Sequence, residues 1–208
     1  MKRRQFALLA FSTTASPWVS GQEQFQEGKH FIALTQTQPT LDPKQREVLE
    51  FFAYGCSHCN AFEPTIDAWQ KRLPKGVVFR RMPVAFRESM VVHQRLYFSL
   101  EAMGLVEQHH RKIFHAMHVE RRRLDTAADI ADFMAAQGVD KERFMKTFDS
   151  FSVATKAKQA SALAGGYKID GTPSIGVDGR WLTSGSLAGS NERSLLVAEH
   201  LLRVASKQ

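Results

Sequence analysis

The sequence predicts an α/β domain with a helical segment inserted into it, on three observations. Residues 47–54, Glu47-Val48-Leu49-Glu50-Phe51-Phe52-Ala53-Tyr54, form a nearly continuous apolar run of the kind a strand buried on both faces requires, and apolar residues at helical spacing follow at once. Residues 88 to about 164 carry Leu, Met, Phe and Ala at helical intervals. Strand character then returns around Asp178-Gly179, a strong hairpin signal. With 208 residues, 43% of them hydrophobic, the chain can bury one substantial core, so residues 22–208 are read as one domain.

At the N-terminus, Lys2-Arg3-Arg4 precede an apolar stretch at 6–11 and a small, polar run ending Trp18-Val19-Ser20-Gly21, the order of an export signal. Residues 1–21 are therefore read as a removable leader, whose apolar part falls far short of the roughly 20 residues a membrane span needs. Paired arginines before Gln5-Phe6 also resemble a twin-arginine signal, which leaves the export route open. An exported bacterial chain works in the periplasm, where thiols tend to be oxidised. The formal charge is +7, and about +4 without the three leader cations, a surplus too small for a dedicated nucleic-acid binder.

Beyond the leader, residues 30–34 read as a short edge strand and 38–44, with Pro39 and Pro43, as a loop. The buried strand at 47–54 ends at Gly55. From Cys56 a helix is marked by Phe62, Ile66, Trp69 and Leu73 and stopped by Pro74-Lys75-Gly76. Residues 77–86 read as a second strand, parallel to the first through a right-handed crossover. The helical insertion at about 88–164 is expected to hold three or four helices, broken at Gly104 and Gly138, with Asp125 and Asp140 as N-caps. Strands at 174–177 and 180–183 flank the Asp178-Gly179 turn. Asn191 is the expected cap of a final amphipathic helix.

Only two cysteines are present, as Cys56-Ser57-His58-Cys59. They lie where the buried strand meets the first turn of a helix, and there the free N–H groups and positive dipole end stabilise a thiolate on Cys56. A protonated His58 would add positive charge. A stabilised thiolate leaves readily and favours the reduced form, which makes the disulfide a stronger oxidant. The pattern thus predicts thiol–disulfide exchange through Cys56, with the more buried Cys59 closing the ring. A covalent haem site needs histidine directly after the second cysteine, where Asn60 stands. Zinc would have to recruit two histidines from elsewhere, and a purely structural crosslink across four residues contributes only roughly 2 kcal/mol by loop entropy.

The segment from Glu50 to Cys59, with Phe62 and Glu63 beyond it, resembles the active-site segment of DsbA-type thiol:disulfide oxidoreductases of the thioredoxin superfamily. Gly171-Thr172-Pro173-Ser174 resembles that superfamily's cis-proline loop, and the likeness covers residues 28–208. The resemblance implies a thioredoxin-like fold with an inserted helical subdomain. It makes Cys56 the nucleophile, Cys59 the resolving cysteine, His58 the histidine between them, and Pro173 the cis-proline, with Thr172 offering its backbone to an extended substrate. Pro64 matches the kink in the first helix. Glu50 matches a buried acid that assists proton movement at Cys59, with Arg81 as its candidate partner, where family members often carry lysine. Ser57 departs from the proline common at its position, and residues between the cysteines tune the potential.

The implied activity is periplasmic dithiol oxidation, in which the Cys56–Cys59 disulfide is donated to reduced, unfolded exported proteins and regenerated by a DsbB-type membrane quinone reductase. No metal or organic cofactor is implied, because the disulfide itself carries two electrons, and a monomer is expected. A reductase or isomerase is the alternative within the enzyme class, and a chaperone or binding module with a structural disulfide the alternative outside it. His109, His110, His115 and His118 are read as a solvated helix face, Arg121-Arg122-Arg123 as a helix end meeting solvent, and Phe86 and Met90 as core residues.

Overall fold

A computed structural model describes residues 24–205, so the leader expected at 1–21 lies outside the described residues. Two strands precede the first helix: β1 (Ile32–Ala33) and β2 (Arg46–Phe52). Six of the seven β2 residues are buried, as an apolar run with helices on both faces requires. Helix α1 (Ser57–Gln70) follows, with Pro64 inside it, and then β3 (Val77–Pro83). β3 ends three residues before the expected limit. Val84 N–H still donates to Phe52 O, but Phe86 lies beyond the sheet and is 49% exposed, so it is not a core residue; Met90 is half-buried.

The helical segment contains five α-helices rather than three or four: α2 (Val91–Met103), α3 (Val106–His118), α4 (Ala127–Ala136), α5 (Lys141–Phe148) and α6 (Phe151–Gly166). Breaks of only two residues separate α2 from α3 and α5 from α6. Ser150 caps α6 directly after α5, a junction too short to interrupt the helical spacing in the sequence. Asp140 caps α5, whereas Thr126 and not Asp125 caps α4, its hydroxyl accepting from Asp129 N–H. Strands β4 (Ser174–Val177) and β5 (Trp181–Ser184) form the hairpin, with Asp178 (φ 49°) and Gly179 (φ 66°) supplying the two positive φ values of a type I′ turn. The short α7 (Gly185–Ala188) and α8 (Asn191–Ala205) complete the chain. Ser190, not Asn191, caps α8 by accepting from Arg193 N–H at 3.1 Å.

The sheet order is β1-β5-β4-β2-β3, with β2 and β3 parallel and the other pairs antiparallel. One face buries Val48, Ile175 and Val177 under Phe62, Ile66 and Trp69 of α1 and Leu195 and Leu201 of α8. Trp69 Nε1–H donates to Glu199 Oε1 at 2.8 Å and pins these two helices together. The other face buries Leu49 and Phe51 under the inserted helices, including Leu96, Leu100 and Ala160. This is the thioredoxin-like arrangement with a helical insertion between β3 and β4. Its consequence for the site is that β2 and β3 both end at the edge where α1 begins. No helix among the described residues is long and apolar enough to cross a membrane.

Gly176 lets Tyr167, just past α6, lie flat on β4. A Cβ at 176 would meet Tyr167 Cε1 at 2.5 Å and Phe51 Cε2 at 3.1 Å, and Tyr167 is fully buried. Gly176→Ala is therefore expected to destabilise the protein by about 1–3 kcal/mol, read as a lowered thermal unfolding temperature.

Candidate active site

Cys56 is the N-cap of α1. Its extended backbone (φ −88°, ψ 114°) turns the side chain back over the first turn, where Sγ accepts from Cys59 N–H at 3.1 Å. β2 has just ended, and Cys56 N–H closes a turn on Ala53 O at 3.0 Å. The turn carries Cys56 from the buried strand to the surface, where it is partly exposed while Cys59 stays buried. Both are free thiols. The Cys56 Sγ–H donates to Thr172 O at 3.3 Å, which brings the loop before β4 against the helix start, and the Thr172–Pro173 bond is cis.

This setting pushes the Cys56 thiol down from 9.0 to about 5. The Cys59 thiol, donating to the Cys56 sulfur, contributes most; burial opposes it, and the Thr172 hydroxyl and the N–H groups of Cys59 and His58 add to it. Cys59 is pushed strongly upward, first by burial and then by the neighbouring sulfur. The two sulfurs are thus unequal: one is readily ionised and accessible, the other neutral and enclosed. The His58 side chain is exposed and lines a cleft of about 650 Å³ with Pro173, Leu182, Leu187 and Tyr167.

On the strand that leads to the cysteines, Glu50 is fully buried and pairs in register with Arg81 on β3. Arg81 Nε approaches Glu50 Oε2 at 3.2 Å; this is an ion-pair contact, since the N–H does not point along it. The same guanidinium donates to Glu63 Oε2 at 3.0 Å and to Asp67 Oδ1 at 2.7 Å, both on α1. One cation therefore faces three carboxyl groups, and the proton settles where alternative support is weakest. Glu63 also receives a hydrogen bond from His110, and Asp67 is partly exposed beside Arg111. Glu50 has Arg81 alone, and burial first, then the Glu63 charge, push its carboxyl up to about 8. Glu50 is hence mostly protonated at neutral pH.

His110 contradicts the expectation of a solvated face. It is 3% exposed and bridges Tyr54 Oη to Nδ1 at 2.9 Å and Nε2 to Glu63 Oε1 at 3.1 Å. Burial holds its pKa down against the pull of Glu63. A neutral ring beside a carboxylate assigns the proton to Nε2, so Tyr54 O–H donates to Nδ1. His109 is buried as well, His115 is exposed, and half-buried His118 donates from Nε2 to Tyr54 O at 2.8 Å. Sequence reasoning gave no role to Glu63, Asp67, His110 or His118. Glu63 did leave a signal: it stands four residues after Cys59, within the apolar stripe that contains Phe62 and Ile66.

Comparison with known proteins agrees with this geometry. The family model described as DSBA-like thioredoxin domain matches residues 47–197. The thiol:disulfide interchange protein DsbA of Pseudomonas aeruginosa is 38% identical over 189 residues, covering 89% of this chain and 90% of the relative. That of Bordetella bronchiseptica is 40% identical over 202 residues, covering 97% and 94%. Among solved structures, Pseudomonas aeruginosa DsbA superposes with a TM-score of 0.84 at 37% identity over 88% of this chain and 97% of that one. The oxidoreductase DsbA of Xylella fastidiosa gives 0.82 at 26% identity, covering 88% and 98%.

Titration of the reduced protein by thiolate absorbance is expected to show a midpoint near 5. Because the folded value lies below the unfolded one, ionisation of Cys56 stabilises the reduced fold fully above about pH 9, progressively less toward pH 5, and not at all below it. Glu50 has the opposite sign: its raised value favours the fold below about pH 4.5 and the benefit is lost as pH rises through about 8. Glu50→Gln should therefore raise the unfolding temperature at pH 8, by roughly 2–4 °C for each kcal/mol recovered, and lose that advantage below pH 4.5.

Proposed function

The chain belongs to the DSBA-like thioredoxin-domain family and is a thiol:disulfide oxidoreductase, and we propose that it acts in the periplasm as a dithiol oxidase through Cys56. The observation that carries this reading is the inequality of the two sulfurs, with Cys56 lowered to about 5 and partly exposed, and Cys59 raised and buried.

In the oxidised enzyme a substrate thiolate attacks Cys56 Sγ. The Cys56–Cys59 bond breaks, its electron pair goes to Cys59, and Cys59 takes up a proton. The substrate is now joined to Cys56 in a mixed disulfide. The substrate's second thiolate then attacks its own sulfur in that bond, and Cys56 leaves as the thiolate that the α1 N-terminus stabilises. Two electrons have passed from the substrate dithiol to the enzyme, with no metal or organic cofactor taking part. Thr172 meets the sulfur through its carbonyl, and the adjoining cleft, with Thr172, Pro173, Leu182, Leu187 and His58 on its walls, offers an extended segment an apolar lining. Glu50, held by Arg81, is the buried acid available for the Cys59 proton. Reduced, unfolded exported proteins are the substrates, and a DsbB-type membrane quinone reductase restores the disulfide.

Cys56→Ser is expected to abolish oxidation of a reduced, unfolded test protein, whereas Cys59→Ser, which has no disulfide to donate, should accumulate a mixed disulfide when its Cys56 thiolate attacks a test protein supplied in the disulfide form, visible on non-reducing gels. The reduction potential should lie well above that of thioredoxin, about −270 mV. A value at thioredoxin's level would make the protein an electron donor and overturn the oxidase reading.

A further inference from the structure

Tyr54 is held at both of its polar ends by helix α3. His110 accepts its phenolic O–H at 2.9 Å, and His118, two turns further along the same helix, donates Nε2–H to its carbonyl at 2.8 Å. That carbonyl occupies a particular place. The Cys56 N–H to Ala53 O bond closes a four-residue turn over Ala53, Tyr54, Gly55 and Cys56, and the peptide joining its two central residues is Tyr54–Gly55. Rotation of this central peptide is what interconverts type I and type II turns, and a type II turn needs positive φ at its third residue. Glycine stands there, so the flipped turn carries no steric penalty. Gly55 nevertheless does not take a positive φ. Accepting from His118, the Tyr54 carbonyl points toward α3, and in a planar trans peptide the Gly55 N–H must point the other way.

We propose that His118 is a positioning residue for the reaction of Cys56: by holding the Tyr54 carbonyl it fixes the Tyr54–Gly55 peptide in one of the two orientations open to the turn, and so sets how the chain enters the helix cap that carries the sulfur. The inference rests on Cys56 being the attacked residue. The Tyr54 carbonyl can only accept, so in this contact the His118 ring carries a proton on Nε2. His118 also stacks on Phe114 at 6.0 Å between ring centroids, and this packing fixes the ring independently of the hydrogen bond.

His118→Phe keeps an aromatic ring on Phe114 and removes the donor. It is expected to slow oxidation of a reduced test protein roughly tenfold and to raise the midpoint of the Cys56 thiolate titration, with the circular dichroism spectrum unchanged. His118→Gln, whose amide reaches about as far as Nε2, should stay within about twofold of the parent. The decisive arm is a second substitution. A Cβ at Gly55 meets nothing within 4 Å, while alanine disfavours the positive φ of the flipped turn. Gly55→Ala introduced into His118→Phe should therefore recover most of the lost rate, which a lost imidazole charge or a general loosening would not allow. If His118→Phe fails to fold, His118→Leu with and without Gly55→Ala repeats the comparison. A parental titration and rate in the donorless variant, or no recovery on adding Gly55→Ala, overturns the proposal. Failure of the underlying reading would appear separately, as activity surviving in Cys56→Ser.

Discussion

The site depends on a cysteine acting as a helix cap. An N-cap side chain usually offers an oxygen to the unpaired N–H groups of the first turn; here the acceptor is Cys56 Sγ, 3.1 Å from Cys59 N–H. A sulfur accepts such a bond best as the anion, so the cap adds to the lowering of the thiol's pKa, to which the Cys59 thiol contributes most. The helix can start there only because β2 ends in a tight turn, and the turn is followed by α1 only because Phe62, Ile66 and Trp69 bury its inner face against the sheet. Packing on the far side of the helix thus holds the nucleophile in its electrostatic setting.

Below that helix start the protein retains an arrangement that burial alone would remove. Glu50, Glu63, Arg81 and His110 are all nearly inaccessible, and buried ions are costly unless paired and hydrogen-bonded. The cluster meets the condition unevenly. Glu63 is bonded on both oxygens, by Arg81 and His110, while neither oxygen of Glu50 has a hydrogen-bond partner, and Glu50 answers by holding its proton. A neutral, buried acid on the strand that leads into the cysteines is what the proposed proton transfer at Cys59 calls for. Arginine at position 81 suits a site with three carboxyl groups, since its planar fork reaches Glu50, Glu63 and Asp67 at once and keeps its charge throughout.

The inserted helices do more than cover a face of the sheet. α3 packs beside α1 and reaches the site by polar contacts that include His110 to Glu63 and His118 to the Tyr54 carbonyl, with Phe52, Tyr54, Tyr97 and Phe114 filling the space around the His110 ring. A displacement of α3 would therefore reach both the acid cluster and the turn before Cys56. The insertion and the strand–helix–strand unit share one buried cluster that runs from Cys59 through Phe114 to Ile130 and Phe144, which couples them mechanically.

How much of this was legible follows from the range of the forces involved. The buried strand before the cysteines, expected to run to Tyr54 and ending at Phe52, the helix beginning after Cys56 and the Asp178-Gly179 hairpin are set by residues adjacent in the chain, through periodicity, capping and the φ values a turn permits, and the sequence by itself determined their presence and order. It also determined that the cysteines are inequivalent, because a helix start distinguishes its cap from the residue three places on. The inward orientation of His110 and His118 could not be read in the same way: four histidines on one polar, amphipathic helix look alike until docking against α1 selects a face. Thr126 replacing Asp125 as a cap and Phe86 leaving the core are decided similarly, by where the chain turns once its neighbours are in place. The union of Glu50 and Glu63 with Arg81 needs β2, β3 and α1 in a fixed register. Only the tertiary structure sets that register, because electrostatic and hydrogen-bonding partners far apart in sequence meet only when packing has brought their elements together.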